Sequence, residues 1–181
     1  MSLTLLIGGA RSGKSSLAVD IGHRRHGDDQ AVTYIATAPV IDADMADRIE
    51  RHREERPASW STIEEEVDLA DAIHSVTSGL VIVDCLTLWT SNLMFRELSD
   101  TAIVTATHDA VAAATGRPGE TVVITNEVGL GIHPETDLGR RYRDTLGRVN
   151  QTWAGAAERS LLLVAGRALP LGDPWDHLPS N

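Results

Sequence analysis

A glycine-rich segment near the amino terminus constrains the fold more than any other feature of this 181-residue chain. Residues 8–15 read GGARSGKS, which fits the pattern G-x-x-x-x-G-K-[ST], and they lie between an apolar run and a helical pattern. This position disfavours the alternative, a glycine turn that only resembles the motif. Backbone N–H groups of such a segment turn inward around a phosphate, and the helix start adds its positive end. We therefore predict a phosphate-binding loop made of Gly8, Gly9, Ala10, Arg11, Ser12, Gly13, Lys14 and Ser15.

Lys14 is the only lysine of the chain, in which arginine supplies the remaining permanent positive charges. A compact ammonium fits among phosphate oxygens where a planar guanidinium does not. We therefore predict that Lys14 contacts the phosphates and takes part in catalysis. The N-K-x-D motif that reads guanine in switch GTPases would need a second lysine, so the sequence argues against a switch of that type.

Five short runs are apolar at successive positions, which is typical of strands covered on both faces. They span residues 3–7, 31–36, 80–83, 121–125 and 161–164. Helical patterns separate them, at residues 14–25, 44–55, 64–76, 86–98, 100–115 and 135–159. This alternation predicts an α/β fold, with a mainly parallel central sheet flanked by helices. We expect one domain over residues 1–168 and a carboxyl-terminal arm over residues 169–181.

Charge and composition exclude several classes of function. The formal net charge of -10 and a pI near 5.0 argue against general binding to nucleic acid or to an anionic membrane, since both need a basic face. No apolar stretch approaches the roughly 20 residues that span a bilayer, and the first ten residues do not resemble a signal peptide. Cys85 is the single cysteine, so an intramolecular disulfide is impossible, and we expect a buried thiol. We predict a cytoplasmic protein.

The strand at residues 80–83 is followed directly by Asp84. Proteins with a phosphate-binding loop use a carboxylate at the end of such a strand to hold Mg²⁺ opposite the serine hydroxyl of the loop. Taken alone, an aspartate in this position is more often a helix cap. Beside the motif of residues 8–15, we interpret Asp84 and Ser15 as a metal-binding pair that also contacts the nucleotide.

A histidine lies on a basic helical pattern at residues 44–55, where it shares one face with Met45 and Ile49. The arginines around this histidine, His52, favour a neutral imidazole and can hold a polyphosphate; they are Arg48, Arg51, Arg53 and Arg56. A neutral imidazole can attack an α-phosphate to give a phosphoramidate. The alternative is a surface or structural role. No zinc site is predicted, because none of the other histidines pairs at ligand spacing with a supporting cysteine.

Six blocks together resemble the adenosylcobinamide kinase/adenosylcobinamide-phosphate guanylyltransferase family. The likeness runs from Leu3 to about Gly166. The blocks are GGARSGKS (8–15), YIATA (34–38), DADMADRIERHREERPASW (42–60), VDCLTLWTSNLM (83–94), TNEVGLGIHPE (125–135) and RRYRDTLGRVNQ (140–151). The first block is shared by many phosphate-loop proteins, whereas the patterns RIxxHRxxRP and TNEVGxGIxP are specific to the family.

The resemblance implies a P-loop fold of RecA-like type, a homotrimer and two linked reactions. In the first, a nucleoside triphosphate such as ATP phosphorylates adenosylcobinamide. In the second, GTP gives GMP to His52, and the phosphate of the substrate then takes the GMP to form adenosylcobinamide-GDP. Lys14, Ser15 and the loop amides would hold the phosphates, and Asp84 would help to hold Mg²⁺. We also assign nucleotide contacts to Arg53 and Glu64.

Three residues of the family blocks have no assigned role: Asn126, Glu127 and Asn150. Glu127 follows a predicted strand on the side where α/β sheets bind ligands, so it is a candidate substrate contact, with a loop cap as the alternative. Two other functions stay open from the residues. One is a P-loop kinase of another small molecule, and the other is a nucleotide-binding regulatory module without transfer activity.

Overall fold

The computed structural model describes residues 2–26, 31–39 and 56–178. Within these ranges the strands are β1 (Ser2–Gly8), β2 (Val32–Ala36), β3 (Ser61–Glu64), β4 (Leu80–Asp84), β5 (Glu120–Asn126), β6 (Arg159–Val164) and β7 (Arg167–Leu171). They form one sheet in the order β3-β2-β4-β5-β1-β6-β7. Every neighbouring pair is parallel except β6 and β7. The predicted mainly parallel α/β sheet is therefore confirmed.

Helices of the described ranges cover both faces of this sheet. They are α1 (Lys14–His26), α2 (Leu69–His74), α3 (Leu86–Phe95), α4 (Asp100–Gly116) and α5 (Asp137–Ala156), with a short 3-10 helix at Pro174–His177. Two of these helices, α4 and α5, begin with a side-chain cap. The hydroxyl of Ser99 accepts a hydrogen bond from the amide of Ala102, and the hydroxyl of Thr136 accepts one from the amide of Gly139. None of these helices is both long and apolar enough to cross a membrane.

The central strands carry apolar residues at successive positions because both of their faces are covered. In β4, Val81 and Val83 pack into the cluster beneath α3, α4 and α5. Leu80 and Ile82 pack into the opposite cluster, with Ala18 of α1 and Trp60. All four of these β4 side chains are completely buried. This two-sided core fixes the carboxyl ends of β1, β4 and β5 at one edge of the sheet, where the sequence places the phosphate loop and Asp84.

A buried arginine joins the loops at the other end of the strands, where β4 and β5 begin. The guanidinium of Arg117 donates hydrogen bonds to the carbonyl oxygens of Val76, Ser78, Gly79 and Glu120, at 2.9 to 3.1 Å. Only 4% of Arg117 is exposed. These carbonyls lie just before β4 and at the start of β5, so one side chain holds the amino ends of the two strands together.

Two strands were not predicted from the sequence, and two predicted helices are wrong in extent. The exposed edge strands β3 and β7 carry almost no buried side chains, so no apolar run marks them. The helical pattern at residues 64–76 forms a helix only at Leu69–His74, because Ser61–Glu64 pairs with β2 instead. The pattern at 135–159 ends at Ala156, since Arg159 begins β6. The predicted helix at residues 44–55 lies outside the described residues.

The contacts of Arg117 predict that its replacement destabilises the fold. In Arg117→Met, four partly buried carbonyl oxygens lose a charged donor while the apolar stem is kept. We expect the free energy of unfolding, measured in urea, to fall by about 3 kcal/mol with an unchanged m-value. The control is Arg148→Met, which replaces an exposed arginine of α5 and should change stability by no more than about 0.5 kcal/mol. A loss below about 1 kcal/mol in Arg117→Met would contradict this assignment.

The single thiol supplies a second prediction about the core. Burial, aided by the nearby charge of Asp84, raises the pKa of Cys85 to about 12. At pH 8 the native protein should therefore react with iodoacetamide at least about 1,000-fold more slowly than the protein unfolded in urea. Because the unfolded thiol ionises first, near its usual pKa of about 8.5, this group also lowers native stability as pH rises above that value. Similar alkylation rates in the two states would show that Cys85 is not buried.

Candidate nucleotide-binding site

The predicted phosphate loop joins the end of β1 to the start of α1 at the carboxyl edge of the sheet. A side chain at Gly8 would place its Cβ 2.3 Å from the carbonyl oxygen of Leu163 on β6, so only glycine fits there. Arg11 and Gly13 adopt φ angles of 55° and 98°. This local reversal, followed directly by a helix start, is the backbone geometry that turns amides toward an anion.

Lys14 folds back over this loop. Its ammonium donates hydrogen bonds to the carbonyl oxygens of Gly8, at 3.0 Å, and Gly9, at 2.7 Å. A weaker contact reaches the hydroxyl of Ser12 at 3.3 Å. The only ammonium side chain of the protein is therefore held inside the loop, with 7% of its surface exposed.

Asp84 receives two hydroxyl groups on one carboxylate oxygen. Ser15, in the first turn of α1, donates to Oδ2 at 3.0 Å, and Tyr34 of β2 donates to the same atom at 2.5 Å. The sequence prediction that Ser15 and Asp84 meet is thus matched by the geometry, although β5 separates β1 from β4. A hydroxyl and a carboxylate side by side are hard oxygen donors of the kind that suit Mg²⁺, which takes its other ligands from water and phosphate.

Tyr34 connects this carboxylate to the basic segment of the sequence. Burial first, and then the charge of Asp84, raise the pKa of Tyr34 well above its usual value, so the phenol stays a neutral donor. The guanidinium carbon of Arg56 lies 4.1 Å from the centre of the Tyr34 ring, which is a cation–π contact. The last arginine of the segment that contains His52 is therefore fixed one side chain away from Asp84.

The backbone around Asp84 is held by a network that the sequence analysis did not find. The amide of Thr37 donates to the carbonyl of Asp84 at 3.0 Å. The Thr37 hydroxyl donates a hydrogen bond to the carbonyl of Cys85 and accepts one from the amide of Cys85. The side-chain amide of Asn92 in α3 donates to the carbonyl of Thr37. The signal in the sequence was the block YIATA, which ends one residue after Thr37. These bonds join the ends of β2 and β4 to α3 next to Asp84.

A second network fixes the end of β5 against the phosphate loop. Asn150 of α5 accepts a hydrogen bond from the hydroxyl of Thr125 at 2.7 Å and donates to the carbonyl of Asn126 at 3.0 Å. The amide of Glu127 donates to the carbonyl of Gly8 at 3.1 Å, and its carboxylate accepts the amide of Gly129. Asn150 therefore positions the end of β5. The carboxylate of Glu127 caps the turn that this residue begins, which was the alternative to a substrate contact in the sequence analysis.

The turn between β6 and β7 supports the loop from the other side. The amide of Gly166 donates to the carbonyl of Ser12 at 3.0 Å. A Cβ on Gly13 would lie 3.4 Å from the Cα of Gly166, so the two backbones are in close contact. This support comes from the hairpin of β6 and β7. The hairpin was not predicted, because no motif in the sequence indicates β7.

The other predicted site residues are more distant or lie outside the described part of the chain. Glu64 ends β3, and both Glu64 and Asp84 pair with Ala36 of β2, on its two sides. At the usual strand spacing, their backbones are about 10 Å apart along the same edge. His52 and Arg53 are outside the described residues. Among the described residues, no group of three His, Cys, Asp or Glu side chains could hold a metal ion by itself.

Solved structures with a related fold include an ATPase domain and a recombinase. The chain resembles the ATPase domain at 12% identity and a TM-score of 0.46, covering 89% of this chain and 68% of that one. It resembles the RadB recombinase at 17% identity and a TM-score of 0.49, covering 89% and 73%. Both scores are low, so the sheet order and the phosphate loop carry the fold assignment. The mainly parallel sheet, with the phosphate loop between β1 and α1, confirms the predicted P-loop α/β fold.

Sequence relatives cover nearly the whole chain. The bifunctional adenosylcobalamin biosynthesis protein CobP of Pseudomonas aeruginosa is 41% identical over 94% of this chain and 98% of its own length. The corresponding CobU proteins of Escherichia coli and Salmonella typhimurium are 39% and 38% identical, each over 91% of this chain and 96% of their length. Residues 4–171 match the family described as cobinamide kinase / cobinamide phosphate guanyltransferase. The chain therefore belongs to this family. It also has the phosphate loop and the aspartate at the end of β4.

Proposed function

We propose that this protein phosphorylates adenosylcobinamide with ATP and then transfers GMP from GTP to the phosphate so formed, through guanylylated His52. The observation that carries the proposal is the contact of Arg56 with Tyr34, whose hydroxyl binds Asp84. Arg56 follows His52 by four positions in the sequence, and a segment of that length spans at most about 14 Å. This short separation in the sequence supports His52 as the nucleophile of the second step.

The kinase step uses the loop as a cradle for the triphosphate. The acceptor hydroxyl attacks the γ-phosphorus, the bond to the β-phosphate oxygen breaks, and ADP leaves while the hydroxyl proton is released. Lys14 and the loop amides stabilise the charge on the phosphate oxygens, because they are fixed before the reaction begins. Ser15 and Asp84 would hold Mg²⁺, which when bound neutralises charge on the β- and γ-phosphates.

The guanylyl step uses the same cradle with a different nucleophile. A neutral imidazole nitrogen of His52 attacks the α-phosphorus of GTP, a P–N bond forms, and pyrophosphate leaves. A phosphate oxygen of adenosylcobinamide phosphate then attacks the same phosphorus, the P–N bond breaks, and adenosylcobinamide-GDP is released. The arginines that surround His52 in the sequence favour its neutral form and offer donors to the departing pyrophosphate.

Further assignments accompany this mechanism. Arg53 and Glu64 would contact the nucleotide. For Glu64 this assignment is supported by its position beside Ala36 of β2, which also pairs with Asp84. Glu127 would contact substrate only if the turn closed by its carboxylate opened. The resemblance to the family also supports a homotrimer that works in the cytoplasm.

A labelling experiment tests the covalent intermediate. The protein is incubated with Mg²⁺ and GTP labelled at the α-phosphorus, and we expect acid-labile, base-stable label on the polypeptide, as a P–N bond requires. His52→Ala should remove this label completely, because the nucleophilic nitrogen is lost. Peptide mapping of the labelled protein locates the modified residue.

His74→Ala is the matched control, since His74 ends α2 and is exposed. It should label as the unchanged protein does. Label that persists in His52→Ala would refute the role of this residue. An unlabelled parent protein that still phosphorylates cobinamide would instead favour a kinase without transfer activity.

The position of the single lysine predicts the effect of a charge-conserving change. In Lys14→Arg, the planar guanidinium cannot occupy the space among Gly8, Gly9 and Ser12 that holds the ammonium. We expect kcat/KM of the kinase reaction to fall about 100-fold or more, with the circular dichroism spectrum unchanged. Arg148→Lys on the surface of α5 should change kcat/KM less than about twofold. A loss below about fivefold in Lys14→Arg would show that only charge is needed there.

A further inference from the structure

An apolar cavity of about 300 Å³ lies between the carboxyl-terminal half of α3 and the start of α5. Its walls include Met94 and Phe95 from α3 and Leu138 and Tyr142 from α5. None of the side chains that line it carries a charge. The volume is at the lower end of the range of pockets that bind small molecules. None of the contacts described for the phosphate site uses this cavity.

Large apolar side chains are exposed at this cavity and in the loop that leads to it. Phe95 and Leu138, on its two walls, are 73% and 57% exposed. In the loop of residues 127–136, Leu130 and Ile132 are 86% and 97% exposed. Isolated exposed apolar residues need no explanation. Here two of them line one apolar cavity and two belong to the loop that reaches its wall at Thr136, so together they indicate a binding surface. We call Phe95, Leu130, Ile132, Leu138 and the cavity the apolar surface.

The apolar surface is connected to the phosphate loop at both ends of residues 127–136. Glu127 donates its amide to Gly8 of the phosphate loop, and Thr136 lines the cavity. The hydroxyl of Tyr142, whose pKa burial raises to about 12, donates to the carbonyl of Thr87 in the first turn of α3. Since α3 starts two residues after Asp84 and Phe95 is its last residue, the helix spans about 14 Å. The cavity therefore lies one short helix away from Asp84.

The chemistry of the acceptor fits this position. A cobinamide carries its reactive hydroxyl at the end of a flexible arm, and the arm leaves a macrocycle whose edge bears apolar methyl groups and amide side chains. When the hydroxyl meets the γ-phosphate in the loop, the macrocycle must lie an arm's length outside it. The apolar side chains of the cavity suit methyl groups at the edge of the macrocycle, and the hydroxyls of Ser91 and Thr136 can bond to its amide groups.

We propose that the apolar surface binds the corrin macrocycle of the acceptor, with one edge of the ring in the cavity between α3 and α5. This assignment rests on the proposed kinase function and names the part of the protein that selects a corrinoid. Leu138 and Phe95 contact the macrocycle from the two walls, while Leu130 and Ile132 cover the side toward the phosphate loop.

Equilibrium dialysis with cobinamide, followed by its visible absorbance and without nucleotide, tests the site apart from catalysis. Leu138→Ser and Phe95→Ser should each raise the Kd for cobinamide about 10-fold, because each removes apolar contact area. The double variant Leu130→Ser/Ile132→Ser should also weaken binding. In kinase assays the KM for cobinamide should rise with the Kd, while the KM for ATP stays within about twofold.

Leu178→Ser is the matched control, because Leu178 is 53% exposed and lies beyond β7, outside the apolar surface. Its Kd for cobinamide should equal that of the parent protein. An unchanged Kd in Leu138→Ser and Phe95→Ser would overturn the proposal. So would sedimentation velocity data showing that these variants alter subunit assembly and regain binding at high protein concentration, since the surface would then be a subunit contact.

The failures of the two proposals are distinguishable. A parent protein that binds cobinamide but takes no label from GTP would refute the guanylylated histidine and leave the corrin site intact. A parent protein that takes the label but binds no cobinamide would refute the corrin site alone.

Discussion

The rest of the candidate site depends on one carboxylate oxygen, Oδ2 of Asp84. It accepts hydrogen bonds from Ser15 and Tyr34, which belong to different elements. Through Ser15 the oxygen is joined to the phosphate loop, and through Tyr34 it is joined to Arg56. Two hydroxyl donors on one oxygen also leave the other oxygen of the carboxylate outside these contacts. A single carboxylate at the end of β4 thus links the phosphate loop, β2 and Arg56 to one another.

The sheet makes this arrangement possible because its two edges are held by different chemistry. At the amino edge, Arg117 joins the starts of β4 and β5 through carbonyl groups. At the carboxyl edge, Thr37 and Asn150 fix the strand ends that carry the site. Between these edges the strands are covered on both faces, so they have little freedom to shift register. The polar residues of the site are then displayed by a rigid frame, as precise positioning of phosphates requires.

Much of this could be predicted from the sequence, and the omissions have physical causes. The central strands were predictable because a strand buried on both faces has apolar residues at successive positions. The exposed edge strands β3 and β7 have no such pattern. Lys14, Ser15 and Asp84 were predictable because local motifs carry their chemistry. The contacts of Tyr34 with Asp84 and Arg56 depend on strand pairing between residues 50 positions apart, which no local pattern encodes. The role of His52 stays a prediction, since it lies outside the described residues.

A protein that transfers both a γ-phosphoryl and a guanylyl group must present two phosphorus atoms of a triphosphate to two nucleophiles. The phosphate loop itself is poorly suited to change shape between the two reactions, because contacts hold it on three sides. Gly8 contacts Leu163, Glu127 bonds to Gly8, and Gly166 bonds to Ser12. On the proposed mechanism, the two steps therefore differ in the group brought to the loop: an acceptor hydroxyl in one step and the imidazole of His52 in the other. The anchor of Arg56 on Tyr34 and the apolar surface beside α3 are the two features that would deliver these groups to one fixed cradle.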